Sequence, residues 1–258
     1  MTGHLTTPVN RPLDRLPDWA TLVRADNPGP MTLDGTNSWI LTAPGGRTVL
    51  VDPGPLDEAH LARLAGYQPS LVLVTHHHPD HVDGLPALID LLGGVAVWDR
   101  LEERRVLDGL DIQLLATPGH TGDSVSFRVE LAGERVMLTG DTILGRGTTV
   151  VAYPDGDLGD YLASLRRLAA FDGIAVLPGH GPALEDCGAA ARAYLEHREA
   201  RLDQVREALA GGARTPRDVV ERVYAEVDRA LWPAAEMSVR AQLAYLESSA
   251  RNVRWDTP

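Results

Sequence analysis

Residues 74–84 read VTHHHPDHVDG and place four histidines and one aspartate in the six positions from His76 to His81. Imidazole and carboxylate groups are the usual ligands of zinc and similar divalent ions, and a catalytic ion keeps one coordination position open. Further ligand types recur downstream: LLATPGHTGDS carries His120, VMLTGDT carries Asp141 and AVLPGHGP carries His180. His76, His78, Asp80, His81, His120, Asp141 and His180 make seven N/O candidates. That is too many for one tetrahedral ion, whereas two ions sharing a carboxylate would use them all. Of the other histidines, His77 alternates away from His76 and His78, and His4 and His60 read as surface residues. His197 falls inside a helical stretch, where a packed or solvated side chain is the simplest reading. Thr75, Asp83, Thr121 and Ser124 adjoin the ligands and are candidates either to brace imidazoles or to cap turns.

These ligands need strands behind them. Short runs rich in Val, Leu and Ile predict strands at 39–43, 48–52, 71–75, 95–99, 111–117, 124–130, 135–140 and 174–179. Each ligand group follows one of them directly, and Pro79 disfavours helical backbone at His78, so the ligands are expected on loops at strand ends. Segments 56–65, 84–92 and 158–170 have helical period. Strand and helix alternate, which indicates an α/β sandwich. From about residue 186 the pattern turns helical: one long helix ends at Gly211 and Gly212, and a second starts at Thr215 as N-cap with Pro216 behind it. A third helix precedes a short NVRW segment. The expected division is a catalytic domain at 1–184 and a helical module at 185–258.

Composition limits the alternatives. Hydrophobic residues make 44% and charged residues 23% of the 258, ordinary values for a globular protein, and no apolar run reaches the ~20 residues of a membrane-spanning helix. The N-terminal sequence lacks a basic start followed by an apolar stretch, so the reading is a cytoplasmic protein without a membrane. The net charge of −12 argues against a general polyanion binder, since phosphate backbones are held mainly by Lys and Arg. All 24 basic residues are Arg. Cys187, the single cysteine, stands beside Glu185 and Asp186, which favour an inert thiol.

The motifs THHHPDH, TPGHTGDS, LTGDT and LPGHGP resemble, in that order, those of the metallo-β-lactamase superfamily. The resemblance implies an αββα sandwich with a two-metal site at one edge of its sheets. Carried over position by position, it gives His76, His78 and His120 to one ion, Asp80, His81 and His180 to the other, and Asp141 to both. Outside the ligands, NPGPMTLDGTNSWIL, VVAYPDGDLGDYLASL and YLEHREARLDQV are similar to the β-lactamase-like protein 2 group. That similarity implies a winged-helix-like module at 213–258, with NVRW too short for a full wing. It also makes TLDGTN a feature of the site rim, with Thr36 and Asn37 as candidate substrate contacts.

The implied chemistry is hydrolysis by a metal-bridging hydroxide, with zinc the first choice of metal and manganese or iron compatible with an all-N/O site. Asp80 is the ligand best placed to orient or deprotonate the water, and Asp141 to tie the two ions together. Three functions follow: an endoribonuclease acting on single-stranded RNA, with Arg214, Arg217 and Arg222 on the module as its surface; an acyl thioester or ester hydrolase acting on a small molecule; or a non-catalytic, metal-dependent interaction module. In the last, Trp232 and Tyr245 would face a homodimer partner unless they are core.

Overall fold

The computed structural model describes residues 11–253, with side chains to 249. In chain order its strands and helices are β1 (Ala20–Arg24), β2 (Asn37–Thr42), β3 (Thr48–Val51), α1 (Glu58–Ala65), β4 (Leu71–Leu73), α2 (Pro79–Val82), α3 (Leu85–Leu91) and β5 (Ala96–Val97). There follow β6 (Arg104–Leu107), β7 (Leu110–Ala116), β8 (Val125–Leu131), β9 (Glu134–Gly140), α4 (Leu158–Leu168) and β10 (Ala175–Pro178). The chain continues through α5 (Cys187–Ala210), α6 (Pro216–Val223), a 3-10 turn at Arg229–Leu231 and α7 (Trp232–Val253).

Two five-stranded sheets form, ordered β1-β2-β3-β4-β5 and β10-β9-β8-β7-β6. Successive side chains of a strand point to opposite faces, and the apolar runs use both. Trp39, Leu41, Val49, Val51, Leu71 and Leu73 face the second sheet, meeting Phe127, Val129, Val136, Leu138 and Leu177. The intervening Ile40, Leu50 and Val72 pack outward on Leu61, Leu64 and Leu88 of α1 and α3. On the other side Met137 and Val176 pack on Tyr161, Leu162 and Leu165 of α4 and on Ala190, Ala191 and Tyr194 of α5. Helices therefore cover both outer faces, which is the expected αββα order.

The long α5 joins two cores. Its first half belongs to the layer just described, while Val205 and Ala208 pack with Val219, Val220, Trp232 and Val239 of the C-terminal helices. Trp232 is thus core, and Tyr245 packs within the chain against the α4 layer. A capping box opens α6: the Thr215 side chain accepts from Asp218 N, and Asp218 reaches back to the Thr215 N–H. Among the described residues no helix is long and apolar enough to cross a membrane.

Three elements depart from expectation. β1 pairs antiparallel with β2 through ATLVR, a run too mixed to signal a strand. β6 is four residues long and half charged, held to β7 by the cross-strand pair Arg104–Asp111 at 2.7 Å. Asp80 and His81 lie on the single turn α2 rather than on a loop, because Pro79 is well suited to a first helical position and His78 keeps the extended backbone that proline requires of it. The second C-terminal helix stops at Val223, and α7 takes in Asn252 and Val253. The described residues contain no strand after β10; Arg254 and Trp255 of the expected wing segment lie outside them, as does His4.

Candidate metal centre

The seven candidate ligands converge where strands end. His76 and His78 follow β4, Asp80 and His81 sit on α2, His120 lies between β7 and β8, and Asp141 and His180 follow β9 and β10. Among the described residues four groups of ligand atoms lie close enough to hold a metal ion: His76 with His78 and His120, Asp80 with His81 and His180, His76 with His81 and Asp141, and, at the exposed edge, His77 with His78 and Asp155. His78 Nδ1 is 3.1 Å from His76 Nε2 and 3.0 Å from His120 Nε2. His81 Nε2 and His180 Nε2 are 3.3 Å apart, with Asp80 Oδ2 at 3.4 and 3.1 Å from them. Tetrahedral zinc with bonds of ~2.0–2.1 Å has ligand–ligand edges of about 3.3 Å, so both groups match that size. Asp141 stands between them, its Oδ1 3.4 Å from His81 Nε2 and its Oδ2 3.7 Å from His120 Nε2.

Two observations test the fit to metal. Asp141 Oδ1 is buried and has no hydrogen-bond partner, which is costly for a carboxylate unless a cation takes it. Second, the far nitrogen of every one of the five imidazoles has an oxygen partner, which leaves the near nitrogen free to ligate. His76 Nδ1 meets Thr75 Oγ1 at 3.0 Å, His78 Nε2 meets Asp155 Oδ2 at 3.3 Å and His81 Nδ1 meets Asp52 Oδ2 at 2.8 Å. His120 Nδ1 donates to the Val150 carbonyl at 2.8 Å and His180 Nδ1 to that of Gly35 at 3.3 Å. The residues fit a pair of divalent ions.

The electrostatics follow from burial around one carboxylate. Burial lowers the pKa of His76 and of His120, and neighbouring imidazoles add to this. Burial also opposes charge on His81 and His180, but Asp141 beside them outweighs it, raising His81 well above the ordinary histidine value and His180 to about 9. Burial opposes charge on Asp141 too; His180 and His81 overcome it and hold the carboxyl well below the ordinary range.

Asp52 was not among the sequence candidates. It directly follows β3 in the left-handed backbone region, φ 56°, and accepts from Thr75 N and Thr75 Oγ1, each at 2.7 Å, as well as facing His81. Asp and Asn are the residues that tolerate that region best apart from glycine. The signal was present: an aspartate closing an apolar strand, the same position that marks Asp141. Asp155, also outside the sequence candidates, likewise braces His78.

Other candidates are placed as follows. Thr36 and Asn37, expected at the rim, are fully buried behind the ligands. Thr36 Oγ1 donates to Asp80 Oδ2 at 3.2 Å, and Asn37 Nδ2 donates to the carbonyls of Pro178 and Gly181 on either side of His180. Thr75 braces His76, whereas Thr121 and Ser124 bond to each other in the turn after His120, and Asp83 is exposed. His77 is exposed and pairs with Asp123 at 2.8 Å. His60 is not a surface residue: it is 0% exposed, with Nε2 3.0 Å from Ser38 Oγ, because it lies on the face of α1 that packs on the first sheet. Cys187 is buried, and burial followed by Asp186 pushes its thiol up to about 12. Arg217 lies over the Trp232 ring and pairs with Glu221, and Arg222 Nη1 donates to the Ala208 and Gly211 carbonyls at the end of α5.

A cavity of about 470 Å³ opens from His120 and Asp141. Pro30, Met31, Leu33, Leu144 and Val150 form much of its wall, and Val227 and Leu231 of the C-terminal module close it. Its one guanidinium, Arg146, is held in a two-pronged ion pair by Asp34.

The sequence profile described as the Metallo-beta-lactamase superfamily matches residues 31–109 and 93–180, more than half of the chain. The chain belongs to the metallo-β-lactamase superfamily. A second profile, the Beta-lactamase associated winged helix domain, matches residues 215–254. A Beta-lactamase-like protein 2 homolog of Caenorhabditis elegans is 32% identical, over 91% of this chain and 86% of the relative. An Atrochrysone carboxyl ACP thioesterase of Aspergillus fumigatus is also 32% identical, over 78% of this chain and 72% of the relative. Among solved structures, a Beta-lactamase domain protein from Burkholderia ambifaria superposes with a TM-score of 0.73 at 23% identity, covering 92% of this chain and 91% of that one. That likeness is one of fold.

Proposed function

We propose that the protein is a metal-dependent hydrolase of acyl thioesters or esters. The observation that carries this reading is the cavity that leads to Asp141 and His120: its walls are largely apolar, its guanidinium is already neutralised, and Glu226 and Asp228 stand on its rim. An apolar acyl group suits such a space, and a polyanionic backbone does not. The thioesterase relative supports the same bond class.

On this reading His76, His78 and His120 hold one divalent ion, Asp80, His81 and His180 hold the other, and Asp141 is shared. The all-N/O donor set suits zinc, with manganese and iron compatible. Bound there, the ions would supply Lewis acidity, lowering the pKa of a water toward ~7 and polarising the acyl oxygen. The chain's own groups do the rest. Asp80, fixed by Thr36 Oγ1 and by His180, orients the attacking water and accepts its proton. The water oxygen bonds to the acyl carbon, the carbon–sulfur bond breaks, and the proton leaves with the thiol. Asp52, Thr75, Asp155 and the carbonyls of Val150 and Gly35 keep the imidazoles in register. Residues 1–184 form the catalytic unit of this account, and the module at 185–258 completes the cavity wall.

The test offers metal-loaded protein a medium-chain acyl thioester and a mixed-sequence single-stranded RNA in parallel. Thiol release that disappears with chelator and in Asp141→Ala, with the RNA intact, is the expected result. RNA cleavage with no thiol release would transfer the protein to the phosphodiester reading.

A further inference from the structure

Beyond the cavity wall lies a smaller recess of about 180 Å³ between loop Thr148–Val150, helix α5 and helix α7. The two spaces share Met31, Thr149, Val150, His197 and Leu231, so the recess continues the path that starts at Asp141. Its lining includes Arg198 and Arg201, which are 5% and 8% exposed, together with Ser238. Arg198 Nη2 donates to the Thr149 carbonyl, its guanidinium lies 5.2 Å from the Tyr161 ring centre, and its Nε is buried without a hydrogen-bond partner. Arg201 Nη1 donates to Gln204 Oε1 and the Val223 carbonyl, with the guanidinium 4.5 Å from the Tyr224 ring centre.

Neither guanidinium has a carboxylate partner among the described residues. Two like charges three residues apart on one helix repel, and each buried charge without a counter-ion is costly. The acids on the neighbouring cavity wall do not relieve this: Glu226 is exposed, and Asp228 is exposed with its side chain accepting from Ala230 N. Carbonyls and ring faces satisfy part of the donor set, and Arg198 Nε remains. Arginine forks match carboxylate and phosphate oxygens, so an oxyanion is the ligand chemistry that this pair suits.

We propose that Arg198 and Arg201 form a buried oxyanion-binding recess that receives a carboxylate or phosphate carried by the substrate at the end remote from the scissile bond. The proposal deepens the thioester reading and rests on it for the identity of the substrate. It assigns α5 and the winged helix module a part in specificity, since the recess exists only where they meet the Thr148–Val150 loop.

The test compares three acyl thioesters of equal length ending in methyl, carboxylate and phosphate, on metal-loaded protein. At least a tenfold preference in kcat/KM for one charged ending is expected, and the larger preference names the group. In Arg198→Gln that ratio should fall to near one, and Arg198→Lys should recover part of it. If Arg198 were only a structural tie to Thr149, all three substrates would slow together with the ratio kept, which would overturn the proposal, as would equal rates for all three endings in the unaltered protein. Inorganic phosphate, titrated calorimetrically into metal-loaded protein, gives a readout independent of catalysis. A binding event lost in Arg198→Gln supports the recess even if no thioester is cleaved, in which case the hydrolase reading alone fails. Phosphate binding indifferent to Arg198→Gln, alongside normal thioester hydrolysis, leaves the hydrolase and removes the recess.

Discussion

Asp52 holds His81 and Thr75 together from a position outside the recognised motifs, and its energetic role can be measured. Partners that orient metal-bound histidines typically contribute about 10–100-fold in metal affinity. Asp52→Asn should therefore weaken binding of the ion at Asp80, His81 and His180 by that factor in a chelator competition; unchanged affinity would remove Asp52 from the centre. Gly179 makes a steric prediction. A Cβ there would lie 2.5 Å from Asp141 Oδ1 and 2.7 Å from His81 Cε1, inside the space that the ligands need. Gly179→Ala should give a folded protein, by circular dichroism, that retains fewer than two ions. The ligand residues were legible in the sequence because each carries its chemistry on its own side chain and follows an apolar run. Asp52 and Asp155 were not singled out, since their work is defined only by which imidazole folds against them. The burial of Thr36, Asn37 and His60 was illegible for the same reason: a short polar side chain gives no sign of which side of a strand or helix will be covered.

At the scale of elements, α1 shows how a titratable group can be committed to packing. Burial, reinforced by Arg63, lowers the His60 pKa from 6.5 to about 4. Between those values the unfolded chain binds a proton that the folded chain refuses, so stability falls as pH drops from 6.5 to about 4. Denaturant titration of metal-free protein should show this slope, to which the buried His76 and His120 also contribute, and His60→Gln should reduce it by the share of one histidine; an equal slope in both would mean that His60 titrates normally. The cap of α6 is a second device of this scale. Thr215→Ala removes one half of its capping box and should cost about 1 kcal/mol, read by denaturant unfolding. Strong periodicity made the central strands and longer helices legible, and Thr215 with Pro216 announced the start of α6. The edge strands β1 and β6 were missed because pairing with a neighbour, rather than their own composition, makes them strands.

At the scale of the molecule, the αββα order brings four ligand-bearing strand ends to one place, and the C-terminal helices finish the cavity beside it. The former could be foreseen from the order of ligands and strands. The latter could not, because Met31, Val150 and Leu231 meet only through tertiary packing. The net charge of −12 fits this arrangement: the acids outnumber the arginines mainly in residues 1–184, where bound dications would offset part of the excess. The most direct test of the account is the number of metal ions per chain, measured by elemental analysis of purified, metal-loaded protein beside its Asp141→Ala variant. The account predicts two ions in the former and at most one tightly held ion in the folded variant. A folded, unaltered protein that binds one ion or none under saturating metal would contradict it.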